Sequence, residues 1–96
     1  MNSSEAVVKF CLYVAGELPN SQRARSNLEA FCREHLAERY SIEVLDVTQS
    51  PERALEDNVL MTPQLVVLNG ESRRVIVGSL QDRTALFEAV GLGARV

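Results

Sequence analysis

Met61-Thr62-Pro63-Gln64-Leu65-Val66-Val67-Leu68-Asn69-Gly70 decides the fold. Leu65 to Leu68 is a short apolar run that reads as a strand, and Asn69-Gly70 is a hairpin signal because both residues tolerate positive φ. The chain then returns through Arg74 to Val77, and Gly78 breaks the returning strand. Upstream, Ser50-Pro51 opens a short helix, since proline suits the first helical position, where its missing N–H costs nothing. Ala54 and Leu55 are expected to face the core, and Asn58 to end this helix. Before it, Ile42 to Val47 (IEVLDV) is a second short strand.

The N-terminal third reads as a strand and a long helix. Ala6 to Val14 (AVVKFCLYV) is apolar on both alternating faces, with Phe10, Leu12 and Val14 on one and Val7, Cys11 and Tyr13 on the other. A strand buried on both sides has this pattern and is central in its sheet. Asn20 or Ser21 is expected to cap a helix over Ser21 to Arg39, where Ala24, Leu28, Phe31, Cys32, His35 and Leu36 form one apolar stripe. Downstream of the hairpin, Ser79-Leu80-Gln81-Asp82 has the capping-box spacing, Thr84 to Val90 reads as a helix, and Gly91 suits its C-cap. The order is β-α-β-α-β-β-α, in which a right-handed parallel βαβ unit is followed by an antiparallel hairpin.

This α/β order is similar to that of thioredoxin. The resemblance implies a cis proline at Thr62-Pro63, just before the third strand. It does not extend to chemistry. Glu17-Leu18-Pro19-Asn20 stands where thioredoxins hold C-x-x-C, and a redox mechanism needs a nucleophilic and a resolving thiol there. Cys11 falls within a strand and Cys32 on an apolar helix stripe, so both read as core thiols. A single histidine, His35, makes no zinc site with them at any standard spacing and reads as a half-buried packing residue. No P-loop, G-x-G-x-x-G or G-x-S-x-G occurs.

Composition points the same way. The chain has 96 residues, which fits one domain, with about 6–92 ordered and short flexible termini expected. A formal net charge of -3 lacks the basic surplus of a nucleic-acid binder. No apolar run approaches the ~18 residues of a membrane span and no signal peptide is evident, so the cytoplasm is the expected location. Lys9 is the only lysine. The arginine excess suits bidentate pairing at protein interfaces and equally fits a bias in genomic base composition.

Several segments together resemble the KaiB family of circadian-clock proteins. Leu12-Tyr13-Val14-Ala15-Gly16 is similar to its first strand and turn, and Pro19-Asn20-Ser21-Gln22-Arg23-Ala24 to its P-N-S-x-R-A helix start. Asp46-Val47, Ser50-Pro51 and Leu60-Met61-Thr62-Pro63 resemble its middle. Arg73-Arg74-Val75-Ile76, Gly78 and Leu80-Gln81-Asp82-Arg83 resemble its R-R-[IV]-I-G-D-L-S-D-R stretch. The similarity runs from about Lys9 to Leu92. The chain departs from the pattern in an extra Val77 before Gly78, in Ser79 where aspartate is usual, in Ala89 and Gly91 near the end, and in lacking the acidic tail of cyanobacterial members.

The resemblance implies a non-enzymatic adaptor that binds a KaiC-type ATPase, with a KaiA-like protein or a clock histidine kinase as further partners. It implies no cofactor and no metal. It also implies two folds: a thioredoxin-like binding state and a homo-oligomeric ground state, dimer or tetramer, of order βαββααβ. Arg23, Arg73 and Arg74 carry over as partner-binding residues, against the alternative of ordinary solvated surface. Pro63, Gly78 and Asp82 carry over as structural residues. Adjacent strand residues point to opposite faces, so Arg73 and Arg74 cannot both lie in one flat patch. A thioredoxin-like state would offer its second helix and a sheet edge for docking. A thioredoxin-like oxidoreductase and a free-standing kinase sensor domain are the alternatives.

Overall fold

β1 (Val8–Val14), the strand apolar on both faces, occupies the middle of a four-stranded sheet of order β2-β1-β3-β4 in a computed structural model that describes residues 7–91. The expected strand start at Ala6 and the expected short termini lie outside the described residues. β1 runs parallel to β2 (Tyr40–Asp46) and antiparallel to β3 (Gln64–Asn69), and β3 pairs antiparallel with β4 (Ser72–Val77). The helices are α1 (Pro19–His35), α2 (Pro51–Glu56) and α3 (Thr84–Ala89). This is the β-α-β-α-β-β-α order expected from the sequence.

The alternation in β1 sorts the core into two layers. Phe10, Leu12 and Val14 join Leu65 and Val67 beneath α1 and α3, against Ala24, Leu28, Phe31, Cys32, Leu86 and Ala89. Cys11, Tyr13, Leu45 and Val66 form a smaller cluster closed by Ala54 of α2. Each fully buried large side chain contributes about 1.5–3 kcal/mol. α1 and α3 are further joined at their rims. Arg83 donates to Glu34 at 2.7 Å, and the His35 ring packs against Phe31 and Phe87 with centroids 5.0 and 4.7 Å away. His35 is the packing residue the sequence implied, its side chain 31% exposed.

Element ends differ from expectation in instructive ways. α1 starts at Pro19 with Leu18 as N-cap and no side-chain cap, so neither Asn20 nor Ser21 caps it. The fixed φ of proline begins the helix earlier than a hydroxyl or amide would. α1 stops at His35 rather than Arg39, because Ala37 takes a left-handed φ of 52°. The freed residues let β2 begin at Tyr40, opposite Val8.

The hairpin turns on Gly70-Glu71, with Asn69 paired to Ser72, rather than on Asn69-Gly70. Gly70 alone in this turn has positive φ, at 62°, the pattern of a glycine-first two-residue turn. Gly78 has φ 115°, a conformation that glycine alone adopts readily. Ser79 forms no capping box. Its carbonyl accepts from Asn27 Nδ2, and Asp82 Oδ1 accepts from the Thr84 backbone N–H at 3.0 Å. The Thr62–Pro63 bond is cis, and Pro63 is buried.

Candidate partner-binding surface

The turn that would carry paired cysteines in a redox protein carries none. It is tied instead to the end of β2: Asp46 accepts from the Gly16 N–H at 3.1 Å, and from the Thr48 N–H at 2.9 Å and hydroxyl at 2.7 Å. These bonds, led by the Thr48 hydroxyl, hold the Asp46 carboxyl below its usual range. A cleft of about 280 Å³ beside this turn is lined by Gly16, Glu17, Ser21, Gln22, Arg25 and Asp46.

The two cysteines are free and buried on opposite sides of the sheet: Cys11 of β1 faces α2, and Cys32 projects from α1 into the main core. Burial pushes the Cys32 thiol up to about 12, and burial followed by the Glu43 carboxylate raises Cys11. Neither is a thiolate at neutral pH, and the thiolate is the nucleophile in disulfide exchange.

The polar groups of the molecule gather where α2 meets the sheet. The Tyr13 hydroxyl donates to the Asp57 carboxylate, with the Arg53 carbonyl oxygen 3.3 Å away. Burial, then this bond, pushes Tyr13 up to about 12. Arg53 donates both terminal nitrogens to Glu43, at 3.1 and 3.3 Å, which lowers the Glu43 carboxyl. Arg73 reaches across from β4 to the Asp57 carbonyl oxygen at 3.3 Å and its carboxylate at 3.5 Å. α2 has only six residues, so these side chains, rather than its own length, fix it in place.

Arg73 and Arg74 do stand on opposite faces, as alternation requires. Arg73 is held by α2, whereas Arg74 is exposed on the α1/α3 side and has no ion pair among the described residues. Arg23 is exposed on α1 and donates to Asn20 Oδ1 at 2.9 Å. The three arginines therefore do not converge on one site.

α2 and the loop after it expose three large apolar side chains. Leu60 is 88% exposed, Leu55 78% and Met61 62%. Leu60 and Met61 border a cleft of about 290 Å³ with Val47, Val59 and Thr62, directly before Pro63. Leu55 was expected in the core with Ala54. Adjacent residues on a helix point about 100° apart, so only Ala54 of the two faces the sheet. The sequence showed Leu60-Met61 only as part of a motif. Nothing in local hydropathy tells an exposed leucine from a buried one. Among the described residues there is no metal-ligating cluster, and no helix is long and apolar enough to cross a membrane.

The fold has close counterparts among solved structures. The N-terminal domain of Synechococcus elongatus SasA superposes with a TM-score of 0.76 at 22% identity, covering 95% of this chain and 90% of that one. Mitochondrial thioredoxin 3 from Saccharomyces cerevisiae gives 0.72 at 18% identity, covering 90% and 78%. Among sequence relatives, the circadian clock oscillator protein KaiB of Gloeothece citriformis is 37% identical over 92 residues, which is 96% of this chain and 87% of that protein. The KaiB of Microcystis aeruginosa is 42% identical over 81 residues, or 84% and 78%. Residues 11–90 match the KaiB domain, and with these relatives the match means that the chain belongs to the KaiB family.

Proposed function

We propose that this protein is a non-enzymatic adaptor that docks on a KaiC-type ATPase through α2 and the loop leading into Pro63. The observation that carries the reading is the exposed pair Leu60 and Met61 bordering a cleft on the α2 side of the sheet, with Leu55 exposed on α2 itself. An exposed apolar group of this kind is characteristic of an interaction surface. Family membership supplies the partner, and the two buried, protonated thiols argue against redox chemistry. The same reading places the adaptor in the cytoplasm. It includes a KaiA-like protein or a histidine kinase as further partners, and a homo-oligomeric second state.

The test is capture of a KaiC-type hexamer by biolayer interferometry. Leu60→Ser combined with Met61→Ser should weaken capture at least tenfold with little change in Tm, because both side chains are already in water. Arg23→Glu and Arg74→Glu, on the other side of the sheet, test the extent of the surface: a loss of ~1–3 kcal/mol would mean that the docking surface reaches beyond α2. Unchanged capture by the Leu60/Met61 variant would remove α2 and its loop as the docking surface. Insulin reduction at a thioredoxin-like rate would overturn the non-enzymatic reading.

A further inference from the structure

We infer that the outer edge of β4 accepts an extended, acid-bearing strand of a partner protein as a fifth strand of the sheet. The inference concerns a surface distinct from α2 and does not depend on the ATPase reading. The two-residue loop Gly70-Glu71 makes Asn69 and Ser72 the closing hydrogen-bonded pair of the hairpin. Hydrogen-bonded pairs then alternate along the ladder, at Val67 with Arg74 and Leu65 with Ile76. The Gly78 N–H donating to the Pro63 carbonyl oxygen at 3.0 Å continues the series. Ser72, Arg74 and Ile76 thus direct their main-chain groups to β3. Arg73, Val75 and Val77 direct theirs outward, and among the described residues no strand meets them.

The side chains define the strand that fits. Natural edges are blunted by proline, bulges or charge. β4 has no proline, its register is unbroken, and its charges are Arg73 and Arg74. Arg73 is turned toward Asp57, which leaves Val75 and Val77, 45% and 49% exposed, as the free surface on the α2 side. Arg74 stands on the other side, with no ion pair among the described residues. An incoming strand therefore places apolar residues beside Val75 and Val77 and a carboxylate beside Arg74.

A second copy of this chain fits less well. Antiparallel self-pairing centred on Val75 sets Arg74 beside Ile76 of the second copy and gives its charge no counterpart. Strand addition draws affinity from main-chain bonds and specificity from alternate side chains.

The probe is an end-blocked peptide, Val-Glu-Val-Glu-Val-Thr, titrated into isotope-labelled protein and compared with its Lys-for-Glu counterpart. The amides of Arg73, Val75 and Val77 should shift and gain exchange protection. The glutamate peptide should bind about 2- to 5-fold tighter than the lysine peptide, the range of a cross-strand charge pair. General electrostatics favours the reverse order, since the chain carries a net charge of -3. Val75→Pro removes an outward N–H without taking a bond from β3 and should abolish binding. Arg74→Glu should invert the peptide preference.

Binding that survives Val75→Pro, equal affinity for the two peptides, or no perturbation at millimolar peptide would each overturn the inference. So would concentration-dependent dimerisation of the chain alone that Val75→Pro removes, since the second copy would then be the occupant. If Val75→Pro does not fold, exchange protection confined to Arg73, Val75 and Val77 in the unaltered protein decides in favour, and its absence decides against.

Discussion

The Tyr13 hydroxyl sits beneath α2 and bonds to a carboxylate 44 residues further along the chain. Its pKa rises from 10.0 to about 12 and that of Cys32 from 9.0 to about 12, both chiefly through burial. Each group holds its proton more tightly in the folded chain. Its stabilisation is therefore complete below the unfolded pKa and is lost as the pH climbs toward the folded value. For Tyr13 the fold therefore loses stability between pH ~10 and ~12, where ionisation would place a phenolate in the core beside Asp57. Urea unfolding of Tyr13→Phe should show lower stability at pH 8, by ~1 kcal/mol for the lost bond, and a shallower decline between pH 10 and 12. A decline as steep as that of the unaltered chain would separate Tyr13 from the alkaline transition. On the acid side, the lowered carboxyls of Glu34, Glu43, Asp46 and Asp82 stabilise the fold above the carboxylate range and lose that effect as pH falls. Alternation in β1 was enough to place Tyr13 in the core. Its bond to Asp57 depends on how α2 lies over the sheet, which no local pattern encodes.

At the scale of elements, α1 ends in a conformation that its sequence resists. Ala37 follows the C-cap Leu36 with φ 52°, in the position where helices favour glycine. A left-handed alanine costs roughly 1–2 kcal/mol, part of which glycine returns through its freer unfolded chain. Ala37→Gly should therefore stabilise the protein by about 0.5–1 kcal/mol and raise Tm by a few degrees in a thermal melt. An unchanged or lower Tm would mean that the strain is relieved elsewhere.

Strands and helices were legible because burial imposes periods of 2 and 3.6 on the apolar residues. Their ends were less so. Pro19 overrode Ser21 at the start of α1, and the strand register moved the β3–β4 turn by one residue. The candidate surface was less legible still. Alternation separated Arg73 from Arg74, but the exposure of Leu55 follows from which side α2 turns to the sheet, and that of Leu60 and Met61 from the course of the loop after it.

At the scale of the molecule, the last helix bears on whether a second packing is accessible. Ala89 ends α3 and is buried against the main core, and Leu80 enters that core with φ 66° at the junction after β4. The helix is short, and a left-handed leucine is costly, so this third of the chain is held by packing more than by local preference. The family's other order, βαββααβ, would convert much of α3 into strand. Ala89→Gly lowers helix preference by up to ~1 kcal/mol and should shift the population toward that state, read as strand-like NMR secondary shifts over residues 82–90. Purely helical shifts in the variant, with no minor species, would count against a second packing reached through α3.

Cys11 and Cys32, one on each side of the sheet, also make the protein its own stopwatch. An alkylating reagent reaches Cys11 only when α2 lifts, and Cys32 only when α1 or α3 parts from the sheet. Labelling rates at the two sulfurs therefore time two separate openings in unaltered protein, with no added dye and no engineered residue. A fast Cys11 beside a slow Cys32 would mark α2 as the first part to come away. Equal rates would mean that the sheet sheds both coverings in a single event.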